Sequence, residues 1–257
     1  MEEITDYKLL LDTAVLAGEV MLRSGAEVYR VEDTIHRMLA VSGLKTTEAY
    51  VTATGLIVTL DDPEMDSLTV VRRIRNRDTN LSQIAETNQI SRRFCTGDLT
   101  LKEAFRELKH LQVHPYTQAE SNFSAVLVAG FFAVLLGGTV ADGVAAGIVG
   151  VALVAVLALF RKLELNAFME NMLGSVVIGV TAILLGHIWP GGIDIDIVVV
   201  GAIMPIVPGA ALTTAVRDTL QGDYVAGGAK ILEAILKASA IVIGVGAATL
   251  FMRGLGI

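Results

Sequence analysis

The hydrophobic pattern divides the chain into two halves. In the first half, apolar residues recur at helical spacing over residues 6–23, 28–39, 80–94 and 100–111. Between 45 and 74 the sequence becomes rich in β-branched residues, in stretches separated by the turn-like run 61–66. This pattern predicts two or three strands. The spacing of Thr100 and Glu103 predicts a capping box at the last of these helices. This half is therefore predicted to be an α+β domain.

The second half consists of long apolar stretches. Five of them lie near 121–138, 140–160, 170–189, 194–215 and 229–252. A bilayer core of about 30 Å is crossed by roughly 20 helical residues, so stretches of this length favour membrane spans. We predict a polytopic α-helical membrane protein with about five transmembrane helices and an N-terminal cytoplasmic α+β domain. The predicted domains are 1–115 (cytoplasmic) and 116–257 (transmembrane).

Charge supports this division and gives the predicted orientation. Residues 1–120 hold 14 of the 20 Lys and Arg and 19 of the 27 Asp and Glu. Basic residues follow the second and fourth stretches, whereas the links after the first and third contain none. This alternation predicts a cytoplasmic N-terminus in the cell membrane. The acidic first residues, which lack a basic leader, predict no secretory signal.

Several classes of function are disfavoured by composition. A net charge of −7 gives no basic surface for nucleic acid. The four histidines show no metal-ligand spacing, and the chain has no P-loop, dinucleotide fingerprint or nucleophile motif, so we predict neither metal nor cofactor. One basic run stands out on a predicted strand, where it is either solvated or faces anionic lipid or an acidic partner: Arg72, Arg73, Arg75 and Arg77.

The most informative segment is a proline-interrupted stretch within the fourth span. Pro205 and Pro208 have no backbone N–H, so the carbonyls of Gly201 and Met204 are expected to lose their helical partners. A broken helix within a membrane is typical of transport sites, because freed carbonyls bind cations and a restarted helix offers N–H groups to anions. A simple proline kink is the alternative.

Polar side chains follow this break within about a turn and a half of helix. Thr213, Thr214, Arg217 and Asp218 are placed to line one face, and Asp218 is a candidate for proton coupling. The alternative is a pair between Arg217 and Asp218 that fixes the loop. The candidate solute-binding residues are Gly201, Met204, Pro205, Pro208, Gly209, Thr213 and Arg217, and the candidates for proton coupling are Asp218 and Asp142.

Several motifs resemble one family. They are LLLDTAVLAGEVMLRSGAEVYRVEDTIHRML, VTATGLIVTL and RRIRNRDTNLSQIAETNQISRRFCTGDLTLKEA in the first half, and LGGTVADGVAAG, LELNAFMEN and MPIVPGAALTTAVRDTLQGDYVAGGAKILEAIL in the second. Together they cover nearly the whole chain, and they are similar to the N-terminal half of the threonine/serine exporter family. The positions carried over by this resemblance are Gly25, Glu27, Tyr29, Arg30, Glu32, Asp142, Asn166, Asn171, Pro205, Pro208, Gly209, Arg217, Asp218 and Asp223.

The resemblance implies an exporter of threonine and serine linked to the proton-motive force, with about ten membrane helices in its full-length form. This chain has five predicted spans, so the resemblance implies a separate small hydrophobic membrane protein that supplies the missing half. Some split pairs of this kind look more like exporters of dicarboxylates such as succinate. The expected partners are therefore that membrane protein, a small amino acid or dicarboxylate, and the lipid bilayer, with a homo-oligomer left open.

Two readings from other classes stay open at the level of sequence. One is a membrane-anchored hydrolase whose chemistry resides in the first domain, where Glu19, Glu27 and Glu32 supply carboxylates without a nucleophile and base at a telling spacing. The other is a regulatory or scaffold subunit whose first domain binds a partner or senses a ligand. Neither requires a solute path through the membrane half.

Overall fold

The computed structural model describes residues 6–75, 77–111, 117–163, 165–189 and 191–256. It is mainly helical with one small sheet. The helices are α1 (Tyr7–Arg23), α2 (Val28–Ala40), α3 (Leu81–Cys95), α4 (Leu101–His110), α5 (Gln118–Leu135), α6 (Val140–Lys162), α7 (Ala167–Ile188), α8 (Ile195–Ile203), α9 (Gly209–Leu220) and α10 (Tyr224–Gly254). The strands are β1 (Thr46–Thr52), β2 (Gly55–Asp62) and β3 (Met65–Arg73).

The chain forms two compact units. The first falls within residues 1–114 and 209–232, so it combines α1–α4 and the sheet with α9 and the beginning of α10. The second falls within 115–208 and 233–257 and contains α5–α8 and the rest of α10. The predicted boundary between 115 and 116 lies outside the described residues, and the predicted domain division stays a prediction.

The first unit is built around α1. The positions of α1 that face inward are apolar and almost fully buried, and they pack with residues of α2, α4 and β2. Gly18 permits a close approach, since a Cβ at this position would lie 2.6 Å from Cδ1 of Ile35 and 3.3 Å from Leu56. Ala226 of α10 belongs to the same core. The long segment between 114 and 209 therefore separates two parts of one packed unit.

The sheet is an antiparallel meander in the order β1-β2-β3. Its inner face carries Val51, Leu56, Val58 and Leu60, each at most 3% exposed. The alternation of buried and accessible residues along β2 is what a half-covered antiparallel sheet requires. The sequence predicted two or three strands in this region, and the structure has three.

Capping boxes begin three of the helices. Thr100 and Glu103 form the predicted one at α4, with each side chain bonded to the other's backbone N–H. Thr117 with Glu120 at α5, and Thr139 with Asp142 at α6, repeat the arrangement. Each box provides partners for backbone donors that a helix start leaves unpaired.

In the second unit the apolar helices contact one another through small residues. Gly143 of α6 meets Gly130 of α5, where an added Cβ would lie 3.1 Å from the Gly130 carbonyl oxygen. Close backbone approach of this kind is typical of membrane helices. In the part of the chain that the structure describes, four helices (α5, α6, α7 and α10) are long and apolar enough to cross a membrane, or five if α8 and α9 count as one broken span. The predicted membrane class is thus supported.

The fourth apolar stretch is interrupted where the prolines predicted it. The α8 helix ends at Ile203, a single 3-10 turn covers Met204–Ile206, and Val207 is extended before α9 begins at Gly209. Pro205 lies within the 3-10 turn, and Pro208 immediately precedes α9. The segment is therefore a broken helix and not a continuous helix with a kink.

Candidate functional site

The first unit contains a group of charged side chains, three of them buried and two more accessible, that we call the α2 charge cluster: Glu27, Asp218 and Lys230, with Arg30 and Arg217. Asp218 is fully buried, and Glu27 and Lys230 are only 5% and 7% exposed. Charged side chains are almost never buried to this degree unless they are paired. Pairing within the cluster therefore offsets the cost of burying these charges.

The turn between α1 and α2 presents the start of α2 to the cluster. Gly25 has a φ of +83°, a conformation that side chains other than glycine rarely adopt. Glu27 then takes an extended conformation as the N-cap of α2, without a capping hydrogen bond from its own side chain. The N–H of Val28, the first residue of the helix, is therefore available to another acceptor.

The hairpin between α9 and α10 brings the other charges together. Gly222, with a φ of +98°, ends α9, and the Asp223 N–H donates to the Asp218 carbonyl as in a Schellman motif. Gly227 of α10 lies against α9, where an added Cβ would overlap Thr219 and meet the Ala215 carbonyl oxygen at 3.0 Å. This close packing aligns Lys230 with Asp218.

Asp218 accepts hydrogen bonds at both carboxylate oxygens. The Val28 N–H donates to Oδ1 at 2.9 Å, and Lys230 Nζ donates to Oδ2 at 2.6 Å. Lys230 Nζ also donates to the Ala26 carbonyl oxygen at 3.2 Å. A carboxylate at a helix N-terminus is favoured by the helix dipole, and the lysine compensates its charge in a buried setting. Asp218 therefore joins α9, α10 and the start of α2.

Glu27 completes the cluster on its more accessible side. Its carboxylate accepts from Arg217 Nη1 and lies 3.5 Å from Nη1 of Arg30. Burial acts to raise the pKa of Glu27, but its own backbone N–H, Arg30 and Arg217 together bring this pKa below its ordinary value. Glu27 consequently keeps its negative charge down to acidic pH.

Two further carboxylates adjoin the cluster, and both have a raised pKa. For Glu32 on α2, burial raises the pKa and nearby Asp223 raises it further, against a hydrogen bond from the Val51 N–H at 2.9 Å. For Asp223, burial and the charge of Asp218 raise the pKa, while Lys230 acts in the opposite direction. These groups take up a proton more readily than an isolated carboxyl.

Asp142, the second predicted coupling residue, lies in the second unit at the start of α6. Its Oδ2 accepts from the N–H and hydroxyl of Thr139 at 2.7 and 2.8 Å, and its Oδ1 accepts from the Asp194 N–H at 2.7 Å. It is 3% exposed. A groove of about 720 Å³ is lined here by Thr139, Asp142, Gly192, Ile193, Asp194, Ile195 and Asp196.

A smaller cavity of about 360 Å³ lies in the same unit. Its walls come from α7, α8 and α10 and are mostly aliphatic, with Asp196 and Thr249 as polar members. Thr249 donates its hydroxyl to the Val245 carbonyl within α10. Among the residues that the structure describes, no group of three or more His, Cys, Asp or Glu is arranged to hold a metal ion.

The predicted solute-binding residues fall in both units. Gly201, Met204, Pro205 and Pro208 belong to the second unit. Gly201 is buried against α5, where an added Cβ would lie 2.7 Å from the Ala133 Cβ. The expectation of a free Gly201 carbonyl is wrong, because the Met204 N–H donates to it through a tighter turn.

The other three predicted residues, Gly209, Thr213 and Arg217, lie on α9 in the first unit. Gly209 and Thr213 are exposed, and the Thr213 hydroxyl donates to the Ala210 carbonyl within the helix. The alternative pair between Arg217 and Asp218 is not formed, since Arg217 pairs with Glu27 and Asp218 with Lys230. Their roles in binding stay predictions.

Sequence reasoning missed Lys230 as the partner of Asp218. A signal was present, since Asp218 and Lys230 lie twelve residues apart on either side of the glycine turn at Gly222. A hairpin with that turn brings charges on its two helices face to face. The contact of Asp218 with Val28 spans 190 residues and leaves no local signal in the sequence.

These features define the chain as a helical membrane protein with an interrupted apolar helix and a buried charge cluster. The family model described as "Putative threonine/serine exporter" (ThrE) matches residues 12–252. The chain belongs to the threonine/serine exporter family.

Two curated relatives agree with this assignment. The "Probable threonine/serine exporter" of Mycobacterium tuberculosis (strain ATCC 25618 / H37Rv) is 25% identical over 239 residues, covering 92% of this chain and 45% of the relative. The "Threonine/serine exporter" of Corynebacterium glutamicum is 22% identical over 254 residues, covering 95% of this chain and 52% of the relative. The chain thus spans about half the length of these relatives. No solved structure matches it.

Proposed function

We propose that this chain is one subunit of a secondary exporter of threonine and serine. The observation that carries the proposal is the family match over residues 12–252, which includes the interrupted helix. The names of the two relatives support amino-acid export and not a membrane-anchored hydrolase. The chain spans about half the length of each relative, and we propose that a small hydrophobic membrane protein acts together with it.

The proposed orientation has the first unit's sheet and α1–α4 in the cytoplasm and several spans in the cell membrane. The alternation of basic residues between the apolar helices supports this orientation. The N–H groups in the first turn of α9, after Pro208, have no partner within the helix and suit a solute carboxylate. The solute ammonium needs an acceptor other than the Gly201 carbonyl, which is already bonded to Met204.

We assign proton coupling to Asp218. Protonation would remove the charge that Lys230 compensates and weaken the bond from the Val28 N–H. The start of α2 would thereby be loosened from α9 and α10 when a proton binds. Proton uptake thus has a structural consequence, as coupling requires.

Flux measurements test the transport proposal. Proteoliposomes with this chain, with and without its small membrane partner, are given a proton gradient and labelled threonine, serine or succinate. We expect amino-acid flux only with the partner and only with the gradient. Full flux by the chain alone would overturn the two-subunit proposal, and succinate flux without amino-acid flux would change the solute to a dicarboxylate.

The coupling assignment is tested by Asp218→Asn. Asparagine keeps an oxygen for the Val28 N–H but leaves the buried Lys230 without its anion, so we expect a less stable protein that still inserts. Gradient-driven flux per folded molecule should be lost. Glu107→Gln, which removes an exposed pair with Arg93, is the matched control and should leave flux unchanged. Wild-type flux by Asp218→Asn would refute the coupling role.

Truncation separates transport from the alternative readings. Deleting residues 1–110 would abolish hydrolytic activity if the first domain were the hydrolase of the alternative reading. In a transporter, the same deletion removes the α2 side of the charge cluster, so we expect altered assembly or gating with a residual flux above that of empty liposomes.

A further inference from the structure

The outer face of the sheet carries an apolar row that no other described element covers. Tyr50, Ile57 and Val71 are 57%, 42% and 67% exposed. They lie side by side, because Tyr50 pairs with Ile57 across β1 and β2, and Ile57 pairs with Val71 across β2 and β3. Aromatic and β-branched side chains in one row form a continuous apolar strip across the sheet.

The strand register places charged residues around this strip. On one side the neighbouring row is Glu48, Thr59 and Thr69, and on the other side it is Thr52, Gly55 and Arg73. The three rows form a grid with Ile57 at its centre. Glu48 and Arg73, both exposed, occupy diagonally opposite corners of that grid.

We propose that this face binds the same face of a second copy of the chain, with the strands of the two sheets crossing at nearly a right angle. The twofold axis of this dimer runs through Ile57 along the diagonal from Thr52 to Thr69. Orthogonal crossing is one of the two preferred arrangements of sheets that pack face to face. In a twofold dimer the same surface of both copies meets, so this face has to be complementary to itself.

Charge complementarity favours a second copy as the occupant. Rotation about the diagonal axis places Glu48 of each copy over Arg73 of the other, so two opposite-charge pairs form at the rim. Tyr50 of each copy is placed over Gly55 of the other, the one position of the grid without a side chain. Gly55 is fixed by the fold, since a Cβ there would lie 2.8 Å from the Arg72 carbonyl oxygen.

The size of the face predicts a weak dimer. Neighbouring strands lie about 4.8 Å apart and each residue advances a strand by about 3.4 Å. Three strands of five residues therefore bury roughly 200 to 300 Å² of surface per copy, well below the ~800 Å² of a standard interface. Such a contact is transient between freely diffusing domains. Two copies anchored in one membrane are held at a high local concentration, where a weak contact is populated.

Cross-linking in membranes tests the dimer with the full chain. In a Cys95→Ser background, Ile57→Cys puts one thiol on the proposed twofold axis, within reach of its symmetry mate for a short bifunctional methanethiosulfonate reagent. We expect a cross-linked dimer. Leu81→Cys, which is 72% exposed on α3, is the control and should give at least about tenfold less dimer. Equal cross-linking at both positions would overturn the proposal.

Charge reversal tests the pairing itself. In the Ile57→Cys background, Glu48→Arg and Arg73→Glu each turn both rim pairs into like-charge pairs, and each alone should lower cross-linking about tenfold, or ~1.4 kcal/mol. When the two variants carry different tags and are co-expressed, their mixed dimer regains both opposite-charge pairs. We expect the mixed dimer to be restored. Unchanged cross-linking in the single variants, or no recovery in the mixture, would overturn the proposal.

Discussion

Asp218 and Asp142 are both buried aspartates next to a helix N-terminus, yet their surroundings differ. Asp218 is bonded to a lysine and to the first N–H of α2, a helix far away in sequence. Asp142 is bonded to Thr139, three residues before it, and to the Asp194 N–H. The first aspartate has a cationic partner, whereas the hydrogen bonds of the second come from backbone N–H groups and a hydroxyl.

This difference separates two uses of a buried carboxylate. Asp142 caps α6 and fixes the backbone at the start of α8, which are structural tasks that a charge performs without changing its state. Asp218 shares its charge with Lys230, and the stability of that pair depends on whether the aspartate is ionised. We therefore favour Asp218 over Asp142 for proton coupling.

The largest effect is expected from Lys230→Met. The variant leaves Asp218 buried without a cation, and breaking such a pair costs about 3–5 kcal/mol. We expect a marked fall in the thermal unfolding midpoint in detergent. Adding Asp218→Asn to this variant should recover part of the loss, because the uncompensated charge is removed. A single variant as stable as the parent would show that the pair is not held as described.

Asp142→Ala is expected to have an intermediate effect. It leaves the N–H groups of Thr139 and Asp194 without their acceptor, at about 1–3 kcal/mol for a buried donor. We expect less folded protein, while gradient-driven flux per folded molecule persists. Measuring flux against the amount of folded protein separates these quantities. A normal yield with no flux would instead assign coupling to Asp142.

Thr139→Ala is expected to cost about 1 kcal/mol through loss of the capping box. Thr117→Ala, in the equivalent box of α5, is the matched comparison. Because Thr139 also orients Asp142 toward the Asp194 N–H, its replacement should cost more than that of Thr117. Equal unfolding midpoints for the two variants would show that the orientation of Asp142 by Thr139 adds nothing to stability beyond the capping box.

The smallest effect concerns Glu32→Gln and depends on pH. Burial raises the pKa of both Glu32 and Asp223. The charge of Asp223 raises the pKa of Glu32 further, and the charge of Asp218 raises that of Asp223. A raised carboxyl pKa means that the ionised form costs stability above that pKa, and that this cost disappears as the pH falls. Glutamine, which keeps an acceptor for the Val51 N–H, should therefore raise the unfolding midpoint more at pH 8 than at pH 5. A larger gain at pH 5 would contradict the assignment.

Local patterns in the sequence predicted much of the fold. The Thr100 and Glu103 spacing predicted a capping box, and Pro205 with Pro208 predicted the end of a helix, because both effects act within one or two turns. The same spacing at Thr117 and Thr139 would have located two further boxes. The α2 charge cluster could not be predicted in this way, since its contacts depend on tertiary packing between distant segments.

The discontinuity of the first unit has a consequence for biosynthesis. Its core includes Ala226, and the first N–H of α2 is satisfied by Asp218, so neither interaction exists until the ribosome has made more than 200 residues. The N-terminal segment must wait, incompletely packed, while the intervening apolar helices are synthesised and inserted. Contacts of such long sequence separation form late and leave apolar surface exposed in the meantime. We expect nascent chains that stop before Asp218 to be more sensitive to protease in residues 6–40 than the complete chain.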